Sequence, residues 1–232
     1  MDNVLVTGAS RGLGLAIAER LAADGFHVIA VARKAGESRE RITPVAYDLA
    51  DIAGIPDFVR GLRQQFGPLY GLVNNAGGSA EGLLATMPDP DIEALIRLNT
   101  LSPIMLSKYV TRGMMALGRG RVISISSIVA SNGFNSLSVY SATKASLIGF
   151  TRSLAREMGR VGVTVNAIAP GFIDTELTKG LGAKDRDRIV ARSALRRLAE
   201  PQDVAAMAAF LMSEAARNIT GTVMTVDAGG TA

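Results

Sequence analysis

Val4-Leu5-Val6-Thr7-Gly8-Ala9-Ser10-Arg11-Gly12-Leu13-Gly14 decides the fold. A short apolar run ends on Thr7 and passes through glycines straight into a helical pattern over 13–23. A strand that empties this way into a helix is the opening unit of a parallel α/β sheet. Glycines in such a turn permit a tight bend and let backbone N–H groups approach a pyrophosphate at the positive helix end. Their spacing, at 8, 12 and 14, is wider than the G-x-G-x-x-G form. In strand–turn–helix context the turn reads as a dinucleotide site contacted by Gly8, Ser10, Arg11, Gly12, Leu13 and Gly14. A purely structural glycine turn is the alternative.

Outward from that turn, short apolar runs alternate with helical patterns almost to the end. Segments 4–7, 27–32, 44–47, 70–74, 121–126, 164–169 and 222–226 read as seven strands, most of them continuously apolar as in a sheet buried on both faces. Segments 13–23, 52–65, 89–117, 138–159 and 201–212 read as helices. The alternation predicts a doubly wound (Rossmann) α/β fold, a parallel sheet of about seven strands with helices on both faces. No repeat, low-complexity tract or linker interrupts it, so residues 1–232 form a single dinucleotide-binding and catalytic domain. Pro103 should kink the 89–117 helix near Asn99. The Gly-, Arg- and Asp-rich stretch 172–200 falls at the C-terminal edge of the sheet, the place for a substrate lid or a plain surface loop.

Composition removes several functions. The 232 residues are 48% apolar and 20% charged, an ordinary globular balance. Without cysteine there is no disulfide framework and no Cys-based metal site, which fits a reducing cytoplasm. His27 is the single histidine, so Ser-His-Asp hydrolysis and most zinc chemistry are not expected, and no metal is. The charge is +4 and the pI about 9.7. The cations are scattered and aromatics are only 5%, which favours anionic small molecules over nucleic acid. The N-terminus lacks the pattern of a signal peptide, and no run of about 18 apolar residues exists, so a soluble, cytoplasmic protein is expected.

The end of the second strand selects the nucleotide. NAD enzymes commonly place a carboxylate there, roughly 20 residues past the glycines, to take the ribose 2′-hydroxyl. Here stand Ala32, Arg33 and Lys34; no carboxylate repels a 2′-phosphate, and these cations with Arg11 can pair with one. NADP(H) is therefore preferred over NAD(H), unless Arg33 and Lys34 are only solvated loop charges. Asp48, with Leu49 beside it, ends the third strand within reach of an adenine. Asn74-Asn75-Ala76-Gly77 ends the fourth, where small residues let the backbone approach a cofactor.

Tyr140-Ser141-Ala142-Thr143-Lys144 carries the chemistry, thirteen residues past Ser127. Residues four apart share a helix face. An ammonium beside a phenol favours its ionised form, and brings a group of pKa about 10 toward useful proton transfer. Alone, the pair also suits any amphipathic helix.

In sum these residues resemble the short-chain dehydrogenase/reductase family over essentially the whole chain. The matching elements are the turn from Thr7 to Gly14, Asp48, Asn74 to Gly77, Asn99, Ser127, Tyr140 with Lys144, Pro170-Gly171, and the ending Asp227-Ala228-Gly229-Gly230. Within the family the chain looks most like the 3-oxoacyl-(acyl-carrier-protein) reductases of fatty acid biosynthesis. The resemblance implies that Ser127 holds the substrate oxygen, with Ser126 as the alternative serine, and that Tyr140 moves the proton. It implies that Lys144 lowers the Tyr140 pKa and binds the nicotinamide ribose, and that Asn99 positions a relay water. Pro170, Gly171, Ile173 and Thr175 would line the nicotinamide, with Tyr140 and Lys144 also touching the cofactor. The expected reaction is NADP(H)-dependent reduction of a 3-oxoacyl thioester of acyl carrier protein or coenzyme A. Alternatives are a dehydrogenase of a sugar, polyol or other small secondary alcohol, and a non-catalytic nucleotide sensor or scaffold. The family usually forms homotetramers through the helices at 89–117 and 138–159. Two features depart from these reductases. The 33–44 connection is too short for the helix many relatives carry there, and Arg119 and Arg160 are equally carrier-protein contacts or solvated surface.

Overall fold

Strands β1 (Asn3–Thr7), β2 (His27–Ala32), β3 (Ile42–Ala46), β4 (Leu69–Asn74), β5 (Gly120–Ile125), β6 (Val163–Pro170) and β7 (Val223–Val226) pair in parallel, in the order β3-β2-β1-β4-β5-β6-β7. The computed structural model describes residues 1–173 and 183–232. Every residue of β4, β5 and β6 is buried, whereas the edge strands β3 and β7 are mostly half-buried. That is the physical content of a continuous apolar run: both faces of a central strand are covered.

Alternate side chains feed two cores. Val4, Val6, Val28 and Ile168 pack under α1 (Gly12–Ala23) and α7 (Pro201–Met212). Leu5, Ile29, Val122 and Val165 pack under α2 (Ile55–Phe66), α4 (Ser102–Leu117) and α5 (Ser138–Met158). Chain order reverses between β1 and β4, which opens a crevice above their C-terminal ends. At the opposite edge His27 bridges Asn3 Oδ1 (2.8 Å) and Thr43 Oγ1 (2.9 Å) with its two ring nitrogens, a brace across three strands.

The expected helix over 89–117 is two helices, α3 (Asp89–Ile96) and α4, joined by a π-helical turn at Arg97–Leu101. Pro103 has no N–H to give the Asn99 carbonyl. The ladder slips by one residue there, so Ser102 N–H bonds the Arg97 carbonyl, and Asn99 is buried. Elements shift by a few residues elsewhere: β3 begins at Ile42 rather than 44, and α2 at Ile55 rather than 52. No helix forms between Ala32 and Ile42; the connection closes with Arg41 in the left-handed region (φ 58°). The expected lid over 172–200 falls partly outside the described residues; within it lie α6 (Ala183–Arg192) and a parallel bridge of Ile173 to Ala199. Among the described residues no helix is long and apolar enough to cross a membrane.

Candidate active site

The glycines of the first turn differ in what they permit. Gly8 and Gly12 both lie in the left-handed region (φ 65° and 56°). A Cβ on Gly14 would stand 2.2 Å from the Gly8 carbonyl oxygen, and one on Gly8 2.9 Å from Ala76 Cα. Gly14 is therefore about packing the helix on the turn, and Gly8 about packing β1 on β4. Thr7 ties the same two strand ends: its Oγ1 donates to the Val73 carbonyl and accepts from Asn75 N–H (2.9 Å) and Ala76 N–H (3.0 Å). Asn75 Nδ2 returns bonds to the Thr7 and Gly8 carbonyls. Nothing in the sequence reading assigned Thr7 this part, though a threonine closing an apolar strand before glycine is the signal.

These residues suit a dinucleotide phosphate. The N-terminus of α1 has no side-chain cap and no acid in its first turn, and around Gly12 there is open space where a Cβ would be. Ser10 and Arg11 are exposed there, while Leu13 packs against the α1–α7 core. Arg33 and Lys34 follow β2 as exposed cations, and Ala32 leaves the strand end free of a carboxylate. Asp48 is exposed with one oxygen accepting Ala50 N–H (3.0 Å); the Leu49 side chain is buried in the second core.

Four expected catalytic residues come from β5, the π turn and α5. Ser127 follows β5, caps a short 3-10 turn by accepting Val129 N–H (3.3 Å), and faces the Tyr140 phenol, whose ionised form its hydroxyl favours. Ser126 is excluded from that part, because its buried hydroxyl donates to the Lys144 carbonyl (2.8 Å). Lys144 is buried beneath Tyr140, its Nζ 5.7 Å from the ring centroid and bonded to the Ile125 carbonyl (2.9 Å). Asn99 clamps Gly78, accepting its N–H (2.9 Å) and donating to its carbonyl (2.8 Å), and also donates to Thr143 Oγ1. Gly77 is squeezed between two of them: a Cβ there would lie 3.1 Å from Asn99 Oδ1 and 3.5 Å from Lys144 Nζ.

The titration of this cluster differs from the expectation that Lys144 pulls the phenol down. Burial raises the Tyr140 pKa above its ordinary value, and the Ser127 hydrogen bond is what opposes it. Burial also pushes the Lys144 ammonium down to about 8, because a cation loses its water with no carboxylate beside it. Desolvation, absent from any spacing rule, decides both directions.

Pro170, the last residue of β6, is buried, and Gly171 after it sits where a Cβ would be 2.6 Å from Asp227 Cβ, so the turn beginning at Asp227 presses on this strand end. Ile173 is buried; Thr175 lies outside the described residues. Arg119 and Arg160 directly precede β5 and β6, at the edge opposite the crevice, and Arg119 there pairs with Asp2 (2.7 Å). Neither borders the site, which favours the solvated-surface reading of the two.

Comparison with known proteins finds matches over nearly the whole chain. A family model described as Enoyl-(Acyl carrier protein) reductase matches residues 8–231. The chain is 41% identical to the 3-oxoacyl-(acyl-carrier-protein) reductase FabG of Escherichia coli over 97% of this chain and 95% of that one. It is 37% identical to the 3-oxoacyl-(acyl-carrier-protein) reductase MabA of Mycobacterium tuberculosis over 98% and 92%. A solved structure described as ElxO with NADP bound superposes with a TM-score of 0.92 at 31% identity, covering 99% of this chain and 98% of that chain.

Proposed function

Because the chain belongs to the short-chain dehydrogenase/reductase family of oxidoreductases, we propose that it uses NADPH to reduce the carbonyl of a 3-oxoacyl thioester. The observation that carries this reading is the joining of Ser127, Tyr140 and Lys144 at one strand end, with a buried ammonium under a phenol that the Ser127 hydroxyl faces. Ser127 and Tyr140 together hold the carbonyl oxygen. Burial keeps the phenol protonated at neutral pH, the form that a reduction consumes. As Tyr140 gives up its proton, the Ser127 hydroxyl, which favours the ionised phenol, offsets part of the cost of a buried phenolate. Asn99 holds the 77–78 backbone against this cluster, and Gly77 keeps that approach close.

NADPH, when bound, supplies the hydride. Its phosphates would lie on the turn from Gly8 to Gly14, its 2′-phosphate by Arg33 and Lys34, its adenine by Asp48, and its nicotinamide end by Asn75 to Gly77 and by Pro170, Gly171 and Ile173. Association as a homotetramer belongs to the same reading and rests on the family resemblance; a cytoplasmic location belongs to it too and rests on the cysteine-free composition and the lack of a signal-peptide pattern.

The deciding experiment follows nicotinamide absorbance with NADPH and NADH against acetoacetyl thioesters, simple ketones and sugars. The expected result is oxidation of NADPH, faster than NADH, with the thioesters. Activity confined to sugars or simple ketones would replace the thioester by a small secondary alcohol.

A further inference from the structure

Two phenylalanines stand beside the site and belong to neither core. Phe134 lies on the chain between Ser127 and Tyr140, and Phe172 is the second residue beyond β6. Phe26 packs against one core, Phe58, Phe66 and Phe150 against the other, and Phe210 stands outside both on α7, away from these two rings. Both segments leave the sheet at its C-terminal edge, and there the two rings meet, centroids 5.4 Å apart and planes tilted by 58°. Phe134 remains 39% exposed, so half of an aromatic pair faces outward.

The backbone holds this pair in place. Gly82 N–H, from the segment that follows β4, donates to the Ser136 carbonyl (3.0 Å). Ser136 itself is a non-glycine residue in the left-handed region (φ 63°), a conformation that persists only where its surroundings over-determine it. A strained, cross-tied loop that presents a partly exposed phenylalanine on the segment between Ser127 and Tyr140 suits an apolar ligand.

Building on the proposed reduction of a 3-oxoacyl thioester, we propose that Phe134 and Phe172 form an apolar clamp for the acyl chain beyond the 3-oxo carbon. Each methylene laid against the rings is then worth up to about fourfold in kcat/KM. A polyhydroxylated chain would surrender its water to rings that return no hydrogen bond, so such substrates are disfavoured.

The test compares kcat/KM for 3-oxobutanoyl and 3-oxooctanoyl thioesters of N-acetylcysteamine in the wild type, Phe134→Ala, Phe134→Leu and Phe172→Ala proteins. The wild type should prefer the longer chain. Phe134→Ala and Phe172→Ala should each lower the long-to-short ratio at least about tenfold, and Phe134→Leu should restore most of it. Circular dichroism identifies any variant that fails to fold, and the remaining variants carry the ratio. A wild type that reduces neither thioester refutes the function. An active enzyme whose ratio is unchanged by both alanines refutes the clamp alone.

Discussion

The two edges of the one sheet treat charge in opposite ways. Along the N-terminal edge, Arg119 pairs with Asp2 and Arg121 with Glu214, and both guanidinium groups lie about the Tyr70 ring, 5.0 and 5.5 Å from its centroid. Along the C-terminal edge, Arg11, Arg33 and Lys34 have no acidic partner among the described residues, and Lys144 bonds only a carbonyl. The neutral polar groups there, Thr7, Asn75, Asn99 and Ser126, are spent on fixing backbone. One edge is closed by its own side chains. The other holds its backbone rigid and leaves its cations available, which is what a site for an anionic cofactor requires.

The largest way to break this contrast is Tyr140→Phe. Turnover should fall about 10²–10⁴-fold while nucleotide affinity, read by NADPH fluorescence, persists. Undiminished turnover would remove the phenol from the mechanism.

Lys144→Met tests the cost of the unpaired cation. Burial lowers that ammonium from 10.5 to about 8, so the methionine variant should be more stable at pH 7 by about 3 kcal/mol in urea unfolding. Below pH 8 both the folded and the unfolded chain hold this proton, and the penalty is complete. Between 8 and 10.5 the unfolded chain binds more protons, so wild-type stability rises with pH and the gap closes. An equal gap at pH 7 and pH 10 would mean that the ammonium is solvated.

Replacing Ala32 by Asp together with Arg33→Ala should shift the ratio of NADPH to NADH activity toward NADH by at least about tenfold, close to one charge-assisted hydrogen bond. An unchanged ratio would mean that these strand-end residues do not read the 2′-phosphate. The smallest effect belongs to the opposite edge. Arg119→Ala should leave turnover intact and cost less than about 1 kcal/mol, since the pair is largely exposed. A loss of turnover there would erase the distinction between the edges.

Much of this was legible because it is local. Continuous apolar runs mark β4, β5 and β6, glycines mark the first turn, and four-residue spacing puts Tyr140 and Lys144 on one helix face. The break near Asn99 was also legible, since it follows from a missing N–H at Pro103; its form, a slipped ladder, was not. Thr7 and Phe134 went unread because each acts on a partner far along the chain, Val73 and Phe172.

What the sequence determined by itself was therefore the order of strands and helices, the nucleotide-type turn and the pairing of Tyr140 with Lys144, all matters of neighbouring residues. Tertiary structure alone decided which edge receives Arg119 and Arg160, which of Ser126 and Ser127 faces the phenol, and in which direction Tyr140 and Lys144 titrate. Those depend on long-range contact and on lost water, and neither leaves a mark in local spacing.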